Sequence, residues 1–230
     1  LRKPKRPRRR RPLPQPSPSN LDGRAFDDDA RRRGRIAVVI GVDEAGRGPL
    51  AGPVVVAAVA LPKVPSAALR KARDSKQMTP MSREKLFGVI CSQALAVSVA
   101  WAHPPVIDRH NILRATLLAM RRAVRRAAVK LPSPVLVLID GPYRAPRLGL
   151  AQRAIIDGDN KSLSVAAASI VAKVVRDRWM ARLERRYPGY GFASHKGYGT
   201  KAHGEALTRL GPCPAHRRSY APVAAAEAMA

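Results

Sequence analysis

Acidic residues are scarce in this chain, and several of them share one sequence context. Asp43 and Glu44 follow the apolar run IAVVIGV, Asp140 follows VLVLI, and Asp159 follows AII after a two-residue offset. A carboxylate at the end of an apolar strand is poorly solvated, and several together repel one another unless a cation lies between them. Oxygen ligands suit the hard cations Mg²⁺ and Mn²⁺. The pattern therefore indicates a divalent metal site built from these four acids.

Two of these four acids also have an ordinary structural explanation, and the residues alone leave both interpretations open. Asp140 precedes Gly141-Pro142, and Asp157-Gly158-Asp159 is a common turn sequence. The adjacent pair Asp43-Glu44 is harder to explain as a cap or a turn. The spacing does not show that the acids converge, but neighbouring strands would bring them together.

The charge of the whole chain narrows the chemistry that such a site could perform. The 230 residues include 43 Lys or Arg and 16 Asp or Glu, a net charge of +27, which points to a polyanion or an anionic membrane surface as the partner. No apolar run reaches the roughly 18–20 residues that span a bilayer, so we do not expect an integral membrane protein. A carboxylate cluster within a basic surface suits metal-assisted phosphodiester cleavage. A non-catalytic RNA-binding protein is the alternative, but it gains nothing from buried carboxylates.

Hydrophobic periodicity predicts the elements that must position these acids. Strands are predicted over 36–42, 54–61, 96–102, 135–140 and 153–156, and helices over 80–95, 111–130, 164–186 and near 201–209. The short Gly- and Pro-rich link after the first strand indicates an antiparallel hairpin. The pattern predicts an α/β fold, a mixed sheet flanked by helices, with a domain over 36–186 and a small helical part over 187–230.

Residues 1–35 differ in composition from the rest of the chain. This segment is rich in Arg and Pro and nearly lacks large apolar residues, so we expect a disordered basic tail whose deletion leaves catalysis intact. It could serve as a nucleic-acid arm or be only a solvated extension. The two cysteines, Cys91 and Cys213, cannot form a disulfide framework, and no secretory signal is recognised, so the expected location is the cytoplasm.

Several ordered motifs resemble those of the type 2 ribonucleases H, the ribonuclease HII family. They are GVDEAGRGPLAGPVVVAAV at 41–59, DSK at 74–76, NILRATLLAM at 111–120, LIDG at 138–141, GDNKSLSVAAASIVAKVVRD at 158–177, YGFASHKGYGT at 190–200 and HRRSYAPV at 216–223. The resemblance covers about residues 36–223. It implies a ribonuclease H-like fold and endonucleolytic cleavage of RNA in RNA–DNA hybrids, including single ribonucleotides embedded in duplex DNA. The implied products carry 3′-hydroxyl and 5′-phosphate ends.

The resemblance also implies roles for individual residues. It assigns catalysis and the binding of two Mg²⁺ or Mn²⁺ ions to Asp43, Glu44, Asp140 and Asp159, and substrate binding to Gly46, Arg47, Gly48, Ser75, Lys76, Lys196 and Tyr198. Backbone groups of the Gly-Arg-Gly loop would contact a ribose 2′-hydroxyl, and the tyrosine would pack on the neighbouring sugar. Lys173 and Arg176 are weaker candidates, because a basic helical face is usually only solvated. Asp157 departs from the lysine common in the family. We expect a monomer, and a ribonuclease limited to continuous hybrids remains an alternative.

Overall fold

The computed structural model describes residues 23–72, 78–129 and 131–228, which form a five-stranded mixed sheet flanked by helices. The strands are β1 (Val38–Ala45), β2 (Val54–Ala60), β3 (Ala96–Ala102), β4 (Val135–Asp140) and β5 (Ala151–Ile155). They lie in the order β3-β2-β1-β4-β5. The predicted α/β class and mixed sheet are confirmed. The predicted substrate contacts Ser75 and Lys76 lie outside the described residues.

The pairing of the strands brings two of the acidic positions together. β1 pairs antiparallel with β2, which confirms the predicted hairpin, and parallel with β4, with Val42 opposite Ile139. The next residue of β1 is Asp43, and the next residue of β4 is Asp140. Because parallel neighbours end at the same edge of a sheet, these two carboxylates lie side by side at that edge.

The α-helices of the described residues flank the sheet and form the C-terminal part of the fold. They are α1 (Gly23–Gly34), α2 (Pro80–Gln93), α3 (Pro104–His110), α4 (Ile112–Ala128), α5 (Gly158–Lys161), α6 (Leu163–Arg186), α7 (Phe192–His195), α8 (Lys201–Leu210) and α9 (Ala221–Ala228). The long predicted helices are observed, and Thr79 and Asn111 cap α2 and α4 through their side chains. None of these helices is long and apolar enough to cross a membrane.

Small side chains let α6 approach the sheet closely. One face of the sheet packs on α4, and the other packs on α2 and α6, where Ala166, Ala167 and Ile170 contact β2. At Gly41 of β1, a Cβ atom would lie 2.0 Å from the backbone carbon of Ser164, so only glycine fits there. An aromatic-poor core therefore still packs densely, because the helix axis can lie close to the strands.

The prediction that all of residues 1–35 are disordered is wrong for residues 23–34. These residues form α1, and its Phe26 and Ala30 pack against Leu136, Leu138 and other core residues. The composition of the whole segment is polar, but it includes the short amphipathic stretch GRAFDDDARRRG, whose apolar side is buried against the core. Residues 1–22 lie outside the described part of the chain.

A cluster of aromatic and imidazole side chains packs the C-terminal helical part. His203 donates from Nδ1 to the Tyr198 carbonyl at 2.8 Å, so its Nε2 accepts from His216 Nε2 at 3.0 Å. The Nδ1 atom of His216 then accepts from the Cys213 backbone N–H at 3.0 Å. This assignment leaves both imidazoles neutral, because Nε2 of His203 and Nδ1 of His216 each accept a hydrogen bond and therefore carry no proton.

The neutral His216 makes the stability of the protein sensitive to acid. Burial, aided by the nearby His203, lowers the pKa of His216 to about 4 from 6.5. Between these two values the unfolded chain binds a proton that the folded protein does not, so we expect the free energy of unfolding to decrease as pH falls from 6.5 towards 4. Urea denaturation at several pH values measures this slope. The variant His216→Gln should show a shallower slope than the wild type, whereas equal slopes would contradict the assignment.

Candidate active site

Asp43 is a buried acid at the edge of the sheet. It follows the buried part of β1 and is only 6% exposed, and its carboxylate accepts the Glu44 backbone N–H at 2.7 Å and a hydrogen bond from Ser169 of α6. Burial raises the pKa of Asp43 well above its usual value, and the charges of Glu44 and Asp140 raise it further. The ionised form of this carboxyl group therefore requires a positive partner.

Asp140 and Asp159 are connected through one turn. Asp140 ends β4, and its Oδ1 accepts the backbone N–H of Gly158 at 2.7 Å. Gly158 begins α5, and Asp159, which is 6% exposed, is the next residue. A Cβ atom at position 158 would lie 3.1 Å from that same Oδ1, so glycine allows the turn to approach the carboxylate closely. Asp157 precedes this turn in the left-handed conformation, with φ of 64°.

A cleft of about 300 Å³ lies over this edge of the sheet. It is lined by Asp43, Glu44, Ala45, Gly46, Arg47, Gly48, Asp140, Ser169, Lys173, Arg176 and Tyr198. The structure thus brings three of the four predicted acids to one cleft, together with the Gly-Arg-Gly loop and the tyrosine. Asp159 lies on the turn that is hydrogen-bonded to Asp140 and does not line the cleft.

The donor set of the cleft fits a divalent cation in chemical type. Its acids offer only oxygen atoms, and the pKa of Asp43 is raised by burial and by the neighbouring charges of Glu44 and Asp140, which a bound cation would offset. As the side chains stand, however, no group of three or more His, Cys, Asp or Glu among the described residues is arranged to hold a metal ion. Glu44 contacts Arg47 at 3.4 Å, and Asp140 accepts from Gly158. Metal binding would therefore require Glu44 to turn away from Arg47, whereas Asp140 can keep the Gly158 hydrogen bond at Oδ1 and offer Oδ2 to a cation.

A buried arginine donates hydrogen bonds to the backbone of the Gly46-Arg47-Gly48 loop. Arg217, which is fully buried, donates to the Gly46 carbonyl at 2.6 Å and to the Arg47 carbonyl at 2.7 Å. The hydroxyl group of Tyr220 also donates to the Arg47 carbonyl. Gly46 has φ of +94°, and a Cβ atom there would lie 1.9 Å from Nε of Arg176. Only glycine fits this position. The guanidinium of Arg217 fixes the direction of the loop carbonyls.

Tyr198 and Lys196 occupy different positions relative to the cleft. The ring of Tyr198 is half exposed and lies 3.8 Å from the position that a Cβ atom would take at Gly48. The guanidinium carbon of Arg176 lies 6.0 Å from the centre of that ring. Lys196 does not line the cleft. Its Nζ donates instead to the Ala193 carbonyl at 2.6 Å. The structure therefore brings only the tyrosine of this pair to the acids.

One face of α6 lines the cleft with Ser169, Lys173 and Arg176. Arg176 is 1% exposed, so its interpretation as part of a solvated face is wrong, and it donates to the carbonyls of Ala51, Pro53 and Lys196. Burial, with a contribution from Arg217, lowers the pKa of Arg176 to about 10. Ser169 was not predicted at all. The signal that could have found it is helical spacing, since positions 169, 173 and 176 share one face of a helix.

The ion pairs of Asp177 hold Lys173 in place. Asp177 contacts Lys173 at 2.8 Å and Arg83 at 3.5 Å. Arg178 pairs with Glu84. Lys173 is therefore held at the cleft by an acid one helical turn away.

A mixed sheet with carboxylates at the ends of two parallel strands is the architecture of a ribonuclease H-like nuclease, and comparisons with known proteins agree. The family model "Ribonuclease HII" matches residues 40–223. The ribonuclease HII of Acidovorax sp. (strain JS42) is 56% identical over 190 residues, which cover 82% of this chain and 88% of that protein.

Solved structures support the same assignment. The ribonuclease H2 of Pyrococcus horikoshii OT3 superposes with a TM-score of 0.70 at 28% identity, covering 84% of this chain and 98% of that one. Bst-RNase HIII in complex with Mn²⁺ has a TM-score of 0.71 at 21% identity, over 84% of this chain and 70% of that one, and shows the shared fold. The chain belongs to the ribonuclease HII family. It is a ribonuclease H enzyme, and the activity of this class is cleavage of RNA in RNA–DNA hybrids.

Proposed function

We propose that this enzyme is a metal-dependent endonuclease that cleaves the phosphodiester bond 5′ of a ribonucleotide, including a single ribonucleotide in duplex DNA. The products would carry 3′-hydroxyl and 5′-phosphate ends. The observation that carries the proposal is the single cleft that joins Asp43, Glu44 and Asp140 to the Gly46–Gly48 loop and Tyr198. It combines acids suited to cations with groups suited to recognising a ribose.

The four acids would hold the cation or cations. When bound, Mg²⁺ or Mn²⁺ activates the attacking water and stabilises the leaving oxygen. Asp43 contributes the central carboxylate, which Ser169 and the Glu44 N–H hold in place. Asp140 would contribute from the end of β4, and Asp159 from the turn whose Gly158 N–H donates to Asp140. The buried position of Asp43 keeps water away from the ligand and strengthens its attraction to a cation.

The loop and the tyrosine would recognise the substrate. Arg217 and Tyr220 hold the carbonyl groups at Gly46 and Arg47, so the loop is rigid before the substrate arrives. A rigid loop without side chains at Gly46 and Gly48 lets a ribose 2′-hydroxyl approach the backbone. The Arg47 side chain is 43% exposed, so it can leave its contact with Glu44 and bind a phosphate instead. Ser75, Lys76 and Lys196 remain proposed phosphate contacts.

The activity assay compares two substrates, a DNA duplex with one ribonucleotide and a continuous RNA–DNA hybrid. We expect metal-dependent cleavage of both, at the 5′ side of the ribonucleotide in the first. Tyr198→Ala should lower kcat/KM on the single-ribonucleotide duplex by about 10-fold, because base or sugar stacking on an aromatic ring contributes about 1–3 kcal/mol. The loss on the continuous hybrid should be smaller.

Tyr198→Phe is the matched control for this assay, since it keeps the ring and removes only the hydroxyl group. It should retain most of the activity on both substrates. If the wild type cleaves the continuous hybrid but not the single-ribonucleotide duplex, the enzyme is limited to continuous hybrids. Binding of both duplexes without cleavage in Mg²⁺ or Mn²⁺ would contradict the proposed function.

A further inference from the structure

We propose that Asp27 of helix α1 is a positioning residue for the metal-binding acids Asp140 and Asp159. This inference rests on the proposed function and assigns a role to a segment that precedes the family match, which begins at residue 40. The inference opposes the expectation that residues 1–35 can be deleted without effect on catalysis.

Asp27 is a buried carboxylate, only 2% exposed, and it reaches across 135 residues of sequence to the start of α6. Its Oδ1 accepts the hydroxyl of Ser162 at 2.6 Å, and its Oδ2 accepts the hydroxyl of Ser164 at 2.7 Å and the Ser164 backbone N–H at 3.0 Å. The carboxylate therefore caps α6 from another helix. Its negative charge lies at the positive end of the α6 dipole.

The residues that Asp27 holds are directly connected to the acidic cleft. The backbone N–H of Ser162 donates to the Gly158 carbonyl at 2.8 Å, and the N–H of Gly158 donates to Asp140 Oδ1 at 2.7 Å. Asp159 lies inside this hydrogen-bonded turn. A shift of Ser162 would therefore move the support of one proposed ligand and the backbone of another.

The same junction also contacts the strand that carries Asp43. The backbone of Ser164 lies so close to Gly41 that a Cβ atom would come within 2.0 Å of it. Gly41 is two residues before Asp43 on β1. On the other side, a Cβ atom at Gly23 of α1 would lie 3.0 Å from the backbone nitrogen of Leu163. The start of α6 is thus fixed between α1 and β1, with little room to adjust.

The physical reason for the role is that a weakly held ligand binds metal poorly. Removing Asp27 would leave two buried hydroxyl groups and one backbone N–H without their acceptor, and the turn at 158–162 would be free to relax. Groups that orient metal ligands typically change metal affinity by about 10- to 100-fold when they are removed.

The experiment measures Mn²⁺ binding to the full chain by titration calorimetry, without substrate. Asp27→Ala should raise the Mn²⁺ dissociation constant by about 10-fold or more. Asp27→Asn, which keeps one acceptor oxygen, should give an intermediate value. Asp29→Ala is the matched control, because it removes the same charge from the same helix, where Asp29 interacts with Arg33 and Arg153. It should bind Mn²⁺ as the wild type does.

A kinetic measurement separates positioning from a purely structural role. For Asp27→Ala we expect the Mn²⁺ concentration needed for half-maximal rate to rise by about 10-fold, while kcat at saturating Mn²⁺ stays within about 3-fold of the wild type. Unchanged Mn²⁺ affinity in a folded Asp27→Ala protein would overturn the inference. If Asp27→Ala does not fold, Asp27→Asn must still weaken Mn²⁺ binding relative to Asp29→Asn, and failure of both to fold would also overturn it.

The variant Asp43→Asn distinguishes this inference from the proposed function. If it binds Mn²⁺ as tightly as the wild type, the proposed metal site is wrong. If it loses Mn²⁺ binding while Asp27→Ala keeps it, only the role of Asp27 is wrong.

Discussion

The substitution Asp43→Asn is expected to lower the cleavage rate by at least about 10³-fold, equivalent to about 4 kcal/mol of transition-state stabilisation. Asparagine has nearly the same shape, so the fold should be preserved. What is lost is the negative charge at the centre of the acidic cleft, between Glu44 and Asp140. The measurement is kcat on the single-ribonucleotide duplex at saturating Mg²⁺ and Mn²⁺.

The same variant should be more stable than the wild type when metal is absent. The pKa of Asp43 is raised in the folded state, so the folded protein retains a proton that the unfolded chain has already released. The free energy of unfolding of the wild type should therefore decrease as pH rises from the ordinary carboxyl pKa, about 4, towards the raised value. Asp43→Asn should lack this loss and should melt at a higher temperature at neutral pH in EDTA.

The control for both measurements is Glu84→Gln, which removes an exposed acid paired with Arg178 at the surface. It should change neither the rate nor the melting temperature appreciably. An Asp43→Asn protein that cleaves at the rate of the wild type, or that melts lower in EDTA, would show that this carboxylate is not a strained metal ligand.

The substitution Arg217→Ala should have the largest effect on stability. The guanidinium is fully buried and donates to the carbonyls of Gly46, Arg47 and Gly52 and to the Tyr220 hydroxyl. Alanine would leave these acceptors unsatisfied and open a cavity, at a cost of about 3–5 kcal/mol in the free energy of unfolding. Activity of the remaining folded protein should also fall, because the Gly-Arg-Gly loop loses its support. Urea denaturation and kcat/KM measure the two effects.

Two further variants test whether this stability comes from the planar guanidinium of Arg217. Arg217→Lys keeps the charge but cannot donate in two directions from a rigid plane, so its loss should be intermediate. Arg218→Ala is the neighbouring control, since Arg218 pairs with Glu227 at the surface and should contribute about 0–1 kcal/mol. Equal losses for Arg217→Ala and Arg218→Ala would contradict the role of the buried guanidinium.

Local patterns were enough to predict much of the sheet and the main helices. β3 and β4 were predicted over their observed bounds, and the predicted starts of α2 and α4 lie within one residue of the observed ones. β1 continues to Ala45, three residues beyond its predicted end. Such signals depend on residues that are adjacent or one turn apart. For the same reason α1 was missed, because its apolar side is short and is stabilised by Leu136, Leu138 and Val165 from elsewhere in the chain.

The sequence by itself determined which residues could form the acidic site, because an acid at the end of a buried strand can be recognised without knowing its neighbours. Only the tertiary structure decided that Asp43 and Asp140 lie side by side, since this follows from the parallel register of β1 and β4. It also decided that Arg176 and Arg217 are buried supports and that Asp27 caps α6. These roles depend on contacts between residues more than 100 positions apart, and burial, desolvation and hydrogen-bond partners over such separations are set by the packing of the whole domain.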